Sequence, residues 1–157
     1  MILATAGTQL PFPRMLRALD RIAEKHGLRV VAQTCGNLAG ARALEQREFI
    51  EPQPFAEMLA QADVVVSHAG IGTILAASRA RKPLILYPRV AALGEHRNEH
   101  QRATAKAMAG RRGIHVAWDD ATLSALLTGP ALAPLEPGHS PELPGLISAV
   151  SEFVSGR

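Results

Sequence analysis

The residues with the clearest potential for chemistry lie in one short stretch of the chain. Three consecutive valines, residues 64–66, are followed by His68, Gly70, Gly72 and Thr73. An unbroken apolar run of this kind predicts a central parallel strand that is buried on both faces. Two glycines after such a strand let the backbone approach a ligand closely, and the N–H groups that start the next helix bind anions. The stretch therefore predicts a phosphate site at a strand-to-helix turn, with His68 facing the ligand.

Two other interpretations of this turn stay open. Gly70-Ile71-Gly72 resembles the start of a dinucleotide fingerprint, but Leu75 occupies the place of its third glycine. No acidic residue follows at the end of the next strand to bind a ribose, so the pattern favours NAD only weakly. A tight turn without any ligand is the other interpretation, because glycine also serves close packing. The P-loop of nucleotide-hydrolysing proteins is excluded, since the chain has no Gly-Lys-Thr or Gly-Lys-Ser.

A second polar cluster follows the next predicted strand. The amide and imidazole side chains of Asn98, His100 and Gln101 stand near the start of a helix predicted to begin at residue 96. Fixed donors and acceptors of this kind are what sugar hydroxyls require. Arg89 comes directly after the predicted strand, where its guanidinium could reach a phosphate.

The same cluster also fits a zinc motif. His96, Glu99 and His100 have the H-x-x-E-H spacing of inverted zinc peptidases, in which two histidines one helical turn apart bind the metal and the glutamate is the base. Such peptidases need a third ligand from a distant helix and a large substrate chamber. A chain of 157 residues is too short for that chamber, so the zinc peptidase is an alternative and not the main hypothesis.

Composition bounds the remaining possibilities. The 157 residues predict one compact domain, with a formal net charge of +3 and a single cysteine, Cys35. One cysteine cannot form an internal disulfide, which indicates a cytoplasmic chain. No apolar run is long enough to span a bilayer, and the N-terminus does not have the pattern of a signal peptide. Aromatic residues make up only 4% and none is interleaved with a basic run, which argues against nucleic-acid binding.

Strand-like and helix-like segments alternate along most of the chain. We expect strands at residues 1–6, 28–33, 48–51, 63–67, 84–87 and 114–118, helices that begin near residues 13, 52, 72, 96, 119 and 145, and a proline-rich connection at 129–144. This alternation predicts an α/β fold, a parallel sheet with helices on both faces. Ligands bind outside the carboxyl ends of the strands in such sheets, and four turns with unusual residues converge there.

Together these motifs resemble the C-terminal domain of glycosyltransferase family 28. The resemblance is carried by Thr5-Ala6-Gly7-Thr8-Gln9, by Ser67-His68-Ala69-Gly70-Ile71-Gly72-Thr73, by Lys82-Pro83 and by the segment 95–101, and it covers roughly residues 1–118. The most similar members are stand-alone, single-domain subunits: bacterial exopolysaccharide glucuronosyltransferase subunits and the catalytic subunit of the eukaryotic two-protein UDP-N-acetylglucosamine transferase. The resemblance implies that residues 1–157 form one donor-binding domain with a Rossmann-like parallel sheet, half of a GT-B fold.

The resemblance also implies which residues bind the nucleotide sugar. The turn at 70–73 would hold the UDP diphosphate, the polar cluster would contact the donor sugar, and His68 is the candidate catalytic base or phosphate contact. The complete set of implied donor-binding residues is Gly7, Thr8, His68, Ala69, Gly70, Ile71, Gly72, Thr73, Arg89, Glu95, Asn98, His100 and Gln101. Family members often carry a ribose-binding glutamate early in the helix after the turn, and Ala76 occupies that position here.

The implied activity is transfer of a sugar from a UDP donor to a lipid-linked acceptor, with inversion at the anomeric carbon, in exopolysaccharide or glycan assembly. No metal or other cofactor is expected besides the donor. Because a GT-B site lies between two domains, the resemblance implies a membrane-associated partner subunit that brings the acceptor, and a peripheral location at the inner face of the membrane. Homo-oligomers of the isolated chain are compatible with this picture, and a non-catalytic nucleotide-binding module is a further alternative.

Overall fold

The computed structural model describes residues 1–136, which form a six-stranded parallel β-sheet with helices packed on both faces. The strands are β1 (Ile2–Thr5), β2 (Val30–Gln33), β3 (Leu44–Arg47), β4 (Val64–Ser67), β5 (Leu84–Leu86) and β6 (Ile114–Val116). The helices are α1 (Pro13–His26), α2 (Pro52–Gln61), α3 (Ile71–Arg79), α4 (His100–Met108) and α5 (Asp120–Thr128), with a 3₁₀ turn at Ala91–Leu93. This architecture confirms the predicted α/β fold.

The strand order is β3-β2-β1-β4-β5-β6, so the order reverses between β1 and β4. Ile2 in β1 pairs with Val30 of β2 on one side and with Val64 of β4 on the other. Such a reversal leaves a crevice outside the carboxyl ends of the two strands, where the connections diverge to opposite faces of the sheet. The fold therefore brings the turns that follow β1 and β4 to one ligand-binding position.

The valines of β4 divide between two hydrophobic layers. Val66 belongs to the layer that contains Phe12 and Leu19, whereas Val65 belongs to the layer that contains Leu3. Both valines are completely buried, and burial of a side chain of this size stabilises the fold by about 1.5 to 3 kcal/mol. This division confirms that β4 is a central strand covered on both faces.

Helix α1 forms because a proline starts it and a glycine ends it. Pro13 stands in the first turn, where its missing N–H costs nothing, and Gly27 takes a left-handed conformation (φ 64°) and donates its N–H to the Ala23 carbonyl. The buried face repeats every three or four residues and comprises Met15, Leu16, Ala18, Leu19, Ile22 and Ala23. The helix thereby anchors the loop that leaves β1 toward the crevice.

The third strand lies earlier in the chain than predicted. The prediction of a strand at 48–51 is wrong, because β3 is Leu44–Arg47 and pairs with β2. This strand is at the edge of the sheet, and its charged residues Glu45 and Arg47 are exposed. It therefore lacks the apolar run that marks the central strands, whereas the more apolar segment behind it is a loop.

Helix α4 begins at His100, four residues later than predicted. In the segment before it, the Glu99 carboxylate accepts a hydrogen bond from the Ala91 N–H at 2.8 Å and thus bonds back to the preceding turn. Consequently His96 lies in a loop and does not stand one helical turn from His100. The zinc-peptidase alternative loses its geometric basis, which was two histidines on one face of a helix.

Part of the predicted C-terminal region lies outside the described residues. The predicted connection at 129–144 is described only as far as residue 136, and the helix predicted at 145–156 falls entirely beyond that point. Within residues 1–136, none of the helices has the length and apolar character that crossing a membrane requires.

The last described residues pack beside the start of β6. Leu135 is buried, and its Cα would lie only 2.4 Å from a Cβ placed on Gly113. A Cβ placed on Gly110 would meet no atom within 4 Å. Both glycines have left-handed φ angles, +82° and +84°, so the two positions differ mainly in this backbone contact.

We therefore expect Gly113→Ala to lower the free energy of unfolding more than Gly110→Ala does. Alanine in the left-handed region costs about 1 to 2 kcal/mol at either position. Only at residue 113 must the neighbouring backbone also move. Urea denaturation of the two variants measures the difference, and equal destabilisation would contradict the packing of residue 135 against residue 113.

Candidate functional site

A cleft of about 640 Å³ opens at the carboxyl ends of β1, β2 and β4. Its floor is formed by residues at or just after the ends of these strands, among them Thr5, Gly7, Gln33 and His68. The first turn of α3 lines one side, and α2 with the loop before it lines another. The position is that of ligand sites in open parallel sheets, and the volume is within the usual range for small-molecule sites.

The start of α3 faces into the cleft through Gly70, Gly72 and Thr73. The first hydrogen bond of the helix runs from the Ile74 N–H to the Gly70 carbonyl at 3.2 Å. The N–H groups of residues 71–73 precede this bond and form the N-terminal end of the helix. A Cβ added to Gly72 would meet no protein atom within 4 Å. The glycine therefore opens space in the cleft, and the N–H groups at the positive end of the helix dipole suit an anion.

His68 is held between two glycines. A Cβ on Gly70 would lie 2.2 Å from the His68 Nε2 atom, and a Cβ on Gly7 would lie 2.8 Å from its Cε1 atom. Gly7 also has a φ of +89°, a conformation that other residues rarely adopt. Glycine at 7 and at 70 is thus what allows the imidazole to occupy its place.

The imidazole of His68 is neutral at pH 7. Its pKa is lowered to about 4, mainly by burial and secondly by the positive charge of Arg89. The hydrogen bond to the Thr5 carbonyl raises the pKa, and His96 lowers it slightly. The Nδ1 atom lies 3.5 Å from the Thr5 carbonyl oxygen and 3.4 Å from the Ser67 hydroxyl. Because a carbonyl oxygen only accepts, this geometry favours the proton on Nδ1 and leaves Nε2 as the acceptor.

Arg89 lines the cleft but is only 2% exposed. Its guanidinium donates hydrogen bonds to the carbonyl oxygens of Ala6 (2.8 Å), Leu10 (2.6 Å), Pro11 (2.7 Å) and Glu95 (3.3 Å). These bonds join the loop after β1 to the loop after β5 and hold a positive charge close to His68. The predicted contact between Arg89 and the donor phosphates stays a prediction.

Glu95 joins the loop after β5 to helix α1. Its carboxylate accepts hydrogen bonds from Arg14 Nε at 2.7 Å, from Arg14 Nη2 at 2.9 Å and from the Val90 N–H at 2.8 Å. The Arg14 guanidinium also stacks 4.5 Å from the centre of the Tyr87 ring. A bidentate pair of this kind fixes the relative position of its two partners, so the described contacts of Glu95 position the loop. Its predicted contact with the donor stays a prediction.

Gln33 connects three elements of the cleft floor and was absent from the predicted site. Its Nε2 donates to the Thr5 hydroxyl and to the Gly7 carbonyl, both at 3.1 Å, and its Oε1 accepts from the Ile50 N–H at 2.9 Å. The side chain is 4% exposed, so all these bonds are shielded from water. The only sign of this role in the sequence is a glutamine that ends an otherwise apolar strand.

The structure brings many, but not all, of the predicted site residues to the cleft. Those that line it are Gly7, Thr8, His68, Gly70, Gly72, Thr73, Arg89 and Gln101, whereas Ala69, Ile71, Glu95, Asn98 and His100 do not. The binding roles of all these residues stay predictions.

His96 lines the cleft although it was not among the predicted donor-binding residues. Its Nδ1 lies 3.1 Å from Asn98 Oδ1, which also accepts from the His100 N–H at 3.2 Å. Asn98 is therefore placed to orient the His96 imidazole. The signal that could have identified His96 was its place beside Asn98 in the same polar cluster.

An apolar wall on the α2 side of the cleft was also missed. It comprises Phe49, Ile50, Pro52, Phe55, Ala56 and Leu59. The first two fall in the segment that was predicted, wrongly, to be a strand. Phe49 is in fact 55% exposed, and Leu59 is the one wall residue of α2 that is buried. The wall thus faces the cleft as well as the core.

Residues 1–136 contain no group of three or more His, Cys, Asp or Glu side chains placed to hold a metal ion. The expectation that the site works without a metal stays a prediction.

The six-stranded parallel sheet has a Rossmann-like architecture, with a cleft outside the carboxyl ends of its strands. The chain belongs to the glycosyltransferase family 28 C-terminal domain family, whose sequence model matches residues 13–127. A search of the curated proteins found no match.

Solved glycosyltransferase structures share the fold. ALG13 superimposes with a TM-score of 0.62 at 20% identity, over 92% of this chain and 93% of its own. The calicheamicin glycosyltransferase CalG4 superimposes with a TM-score of 0.59 at 23% identity, over 78% of this chain and 32% of its own. SsfS6 from Streptomyces sp. SF2575, solved with thymidine diphosphate, superimposes with a TM-score of 0.54 at 20% identity, over 98% of this chain and 37% of its own.

The chain thus spans about a third of the length of CalG4 and SsfS6, and nearly all of ALG13. At these identities the likeness shows the fold. It confirms the prediction of a Rossmann-like half of a GT-B structure.

We expect the stability of the protein to fall between pH 6.5 and pH 4 because of His68. Its pKa is about 4 in the folded state against 6.5 as the ordinary value, so in this range the unfolded chain binds a proton that the folded chain does not. The resulting loss in the free energy of unfolding reaches about 3 kcal/mol at pH 4.

Urea denaturation of the protein and of His68→Gln at several pH values measures this loss. The difference between the two free energies of unfolding should shrink as the pH falls, whereas the exposed His26→Gln control should track the unaltered protein. Parallel curves for the protein and His68→Gln between pH 7 and pH 4.5 would show that the imidazole is not buried as described.

Proposed function

We propose that this chain is the donor-binding, catalytic subunit of an inverting glycosyltransferase that uses a UDP-sugar. The observation that carries the proposal is the open space at Gly72, at the N-terminus of α3, inside a cleft at the switch point of the sheet. A diphosphate placed there would accept hydrogen bonds from the N–H groups of residues 71–73.

Electrostatics support a diphosphate at this position. The Arg89 guanidinium donates its side-chain hydrogen bonds to four neutral carbonyls, and the nearby Glu95 carboxylate is paired with Arg14. Together these groups leave a net positive charge beside the cleft. None of the described residues that line the cleft is an aspartate or a glutamate. The helix dipole of α3 and the charge of Arg89 therefore act in the same direction, and both favour an anion.

The donor sugar would occupy the polar end of the cleft, near Thr8, His96 and Gln101. The Gln101 Oε1 atom accepts from the Arg89 N–H at 3.1 Å, which fixes the amide and presents its Nε2 donors to a ligand. His96 is oriented by Asn98, as described above. In this arrangement Asn98 and His100 would support the sugar site through their neighbours, whereas Gln101 would contact the sugar directly.

In the proposed reaction an acceptor hydroxyl attacks the anomeric carbon of the donor. The new glycosidic C–O bond forms as the bond from the anomeric carbon to the diphosphate oxygen breaks, UDP leaves, and a base takes the hydroxyl proton. The N–H groups at the start of α3 and the charge of Arg89 would stabilise the negative charge that develops on UDP, and we propose that no metal is required.

His68 is our candidate for the base within this chain. With a pKa of about 4 it is a weak base in the empty cleft. A bound diphosphate would place two or more negative charges near the imidazole and raise its pKa toward the working pH. The Nε2 atom, which geometry leaves as the acceptor, would then be the atom that takes the proton.

We further propose that a membrane-associated partner subunit completes the site and brings a lipid-linked acceptor of exopolysaccharide or glycan assembly. The resemblance of the sequence to stand-alone glycosyltransferase subunits and the fold shared with ALG13 support such a partner. Leu10 and Leu93, on the loops after β1 and β5, are 47% and 61% exposed and offer apolar contacts for such a partner. The chain would then work in the cytoplasm, held at the inner face of the membrane through its partner.

We expect Gly72→Ala to weaken UDP binding at least about tenfold without destabilising the protein. A methyl group at residue 72 would occupy the space of the diphosphate, and each lost hydrogen bond to a charged group is worth about 1.5 to 3 kcal/mol. Alanine favours a helix over glycine, so the melting temperature should stay unchanged or rise.

Isothermal titration with UDP measures the affinity, and thermal unfolding checks the fold. Arg79→Ala is the matched control, since it removes an exposed cation from the far end of the same helix. Unchanged UDP affinity in Gly72→Ala, or no UDP binding by the unaltered protein, would contradict the proposed site. Transfer of sugar, tested with the partner present, separates an enzyme from a module that only binds nucleotides.

A further inference from the structure

The apolar wall and the neighbouring Ala76 of α3 carry no carboxylate that could accept hydrogen bonds from a ribose. The side chains of the wall and of Ala76 hold neither donors nor acceptors. Ala76 lies one turn into α3 beyond Thr73, whose hydroxyl is the nearest polar side-chain group of α3 that lines the cleft. This side of the cleft therefore offers mainly apolar contact.

The nucleoside of a bound nucleotide would lie against this apolar wall. With the diphosphate at residues 71–73, one end of the ligand must extend toward Phe49 and Phe55, and the other toward His96 and Gln101. A sugar with several hydroxyls matches the polar end, whereas a flat pyrimidine ring matches aromatic and aliphatic side chains. The 55% exposure of Phe49 inside a cleft is explained if a base covers its ring.

A ribose is distinguished from a deoxyribose where a carboxylate accepts hydrogen bonds from its hydroxyls. The acidic residues nearest in sequence to the wall are Glu48, Glu51 and Glu57, and none of them lines the cleft. Glu57 accepts a hydrogen bond from Gln53 at 3.3 Å on the exposed side of α2, and Glu51 is exposed at the start of that helix. Ala76 therefore leaves the ribose edge of the nucleotide without a carboxylate partner among the described residues that line the cleft.

We infer that the cleft binds pyrimidine nucleoside diphosphates without discriminating between ribose and 2′-deoxyribose, so that thymidine and uridine diphosphate sugars are both accepted as donors. The inference rests on the proposed function, because it takes the cleft as the donor site. The residue that determines this tolerance is Ala76. The apolar wall also accommodates the C5 methyl group that distinguishes thymine from uracil.

Titration of the full chain with UDP, dUDP and dTDP tests the inference. UDP and dUDP differ only in the 2′-hydroxyl, and we expect their Kd values to agree within about threefold, since no hydrogen bond of the usual strength separates them. We expect dTDP to bind at least as tightly as dUDP. A preference for UDP over dUDP of about tenfold or more would overturn the inference and leave the proposed function standing.

Two variants locate the cause. In Ala76→Glu the new carboxylate repels UDP and dUDP alike. The ratio of the dUDP Kd to the UDP Kd therefore reports only the contact of the carboxylate with the ribose 2′-hydroxyl. We expect this ratio to rise about tenfold. An unchanged ratio in a variant that folds and binds would show that the ribose lies elsewhere, and would overturn the inference. A UDP preference that disappears in Glu51→Gln would overturn it too, by assigning the ribose contact to Glu51. Failure of the unaltered protein to bind any of the three nucleotides would instead refute the proposed function.

Discussion

The cleft depends on one buried positive charge. The Arg89 guanidinium is bonded to carbonyl oxygens on both sides of the cleft mouth, those of Ala6, Leu10 and Pro11 after β1 and that of Glu95 after β5. Separation of the two loops would leave a charge buried without partners, which is far costlier than the loss of an ordinary hydrogen bond. The same charge adds to the effect of burial in lowering the pKa of the neighbouring His68 imidazole, and it attracts anions, so one side chain links the shape of the site to its electrostatics.

The sequence predicted the fold well where burial on both faces leaves a long apolar run, as in residues 64–66 of β4. It failed at β3, because an edge strand with the sequence Leu44-Glu45-Gln46-Arg47 lacks that signal and the apolar Phe49-Ile50 behind it carries a false one. It also failed at the start of α4. The carboxylates of Glu95 and Glu99 accept hydrogen bonds from backbone N–H groups of the preceding loop and hold that segment out of the helix. Such contacts depend on a tertiary arrangement that local propensity does not contain.

The parts of the site that could be predicted are those that follow from strand order and glycine pattern, such as the turn at Gly70 and Gly72. Gln33 could not, because its role depends on three backbone segments that come together only in the folded sheet. The apolar wall was missed for a different reason. A Phe or Ile that faces a ligand has the same sequence signature as one that faces the core, and only exposure tells them apart.

The imidazole held between two glycines links residue 68 to residues 7 and 70, but in different ways. A side chain at either glycine would collide with the ring of His68, and at residue 7 the φ of +89° disfavours a side chain in any case. Among relatives of this chain, a side chain at residue 70 should accordingly occur only together with a smaller residue at 68, whereas glycine at residue 7 should persist. A lineage that exchanges the histidine for a smaller residue would thus lose one reason for glycine at residue 70 and keep the backbone reason for glycine at residue 7.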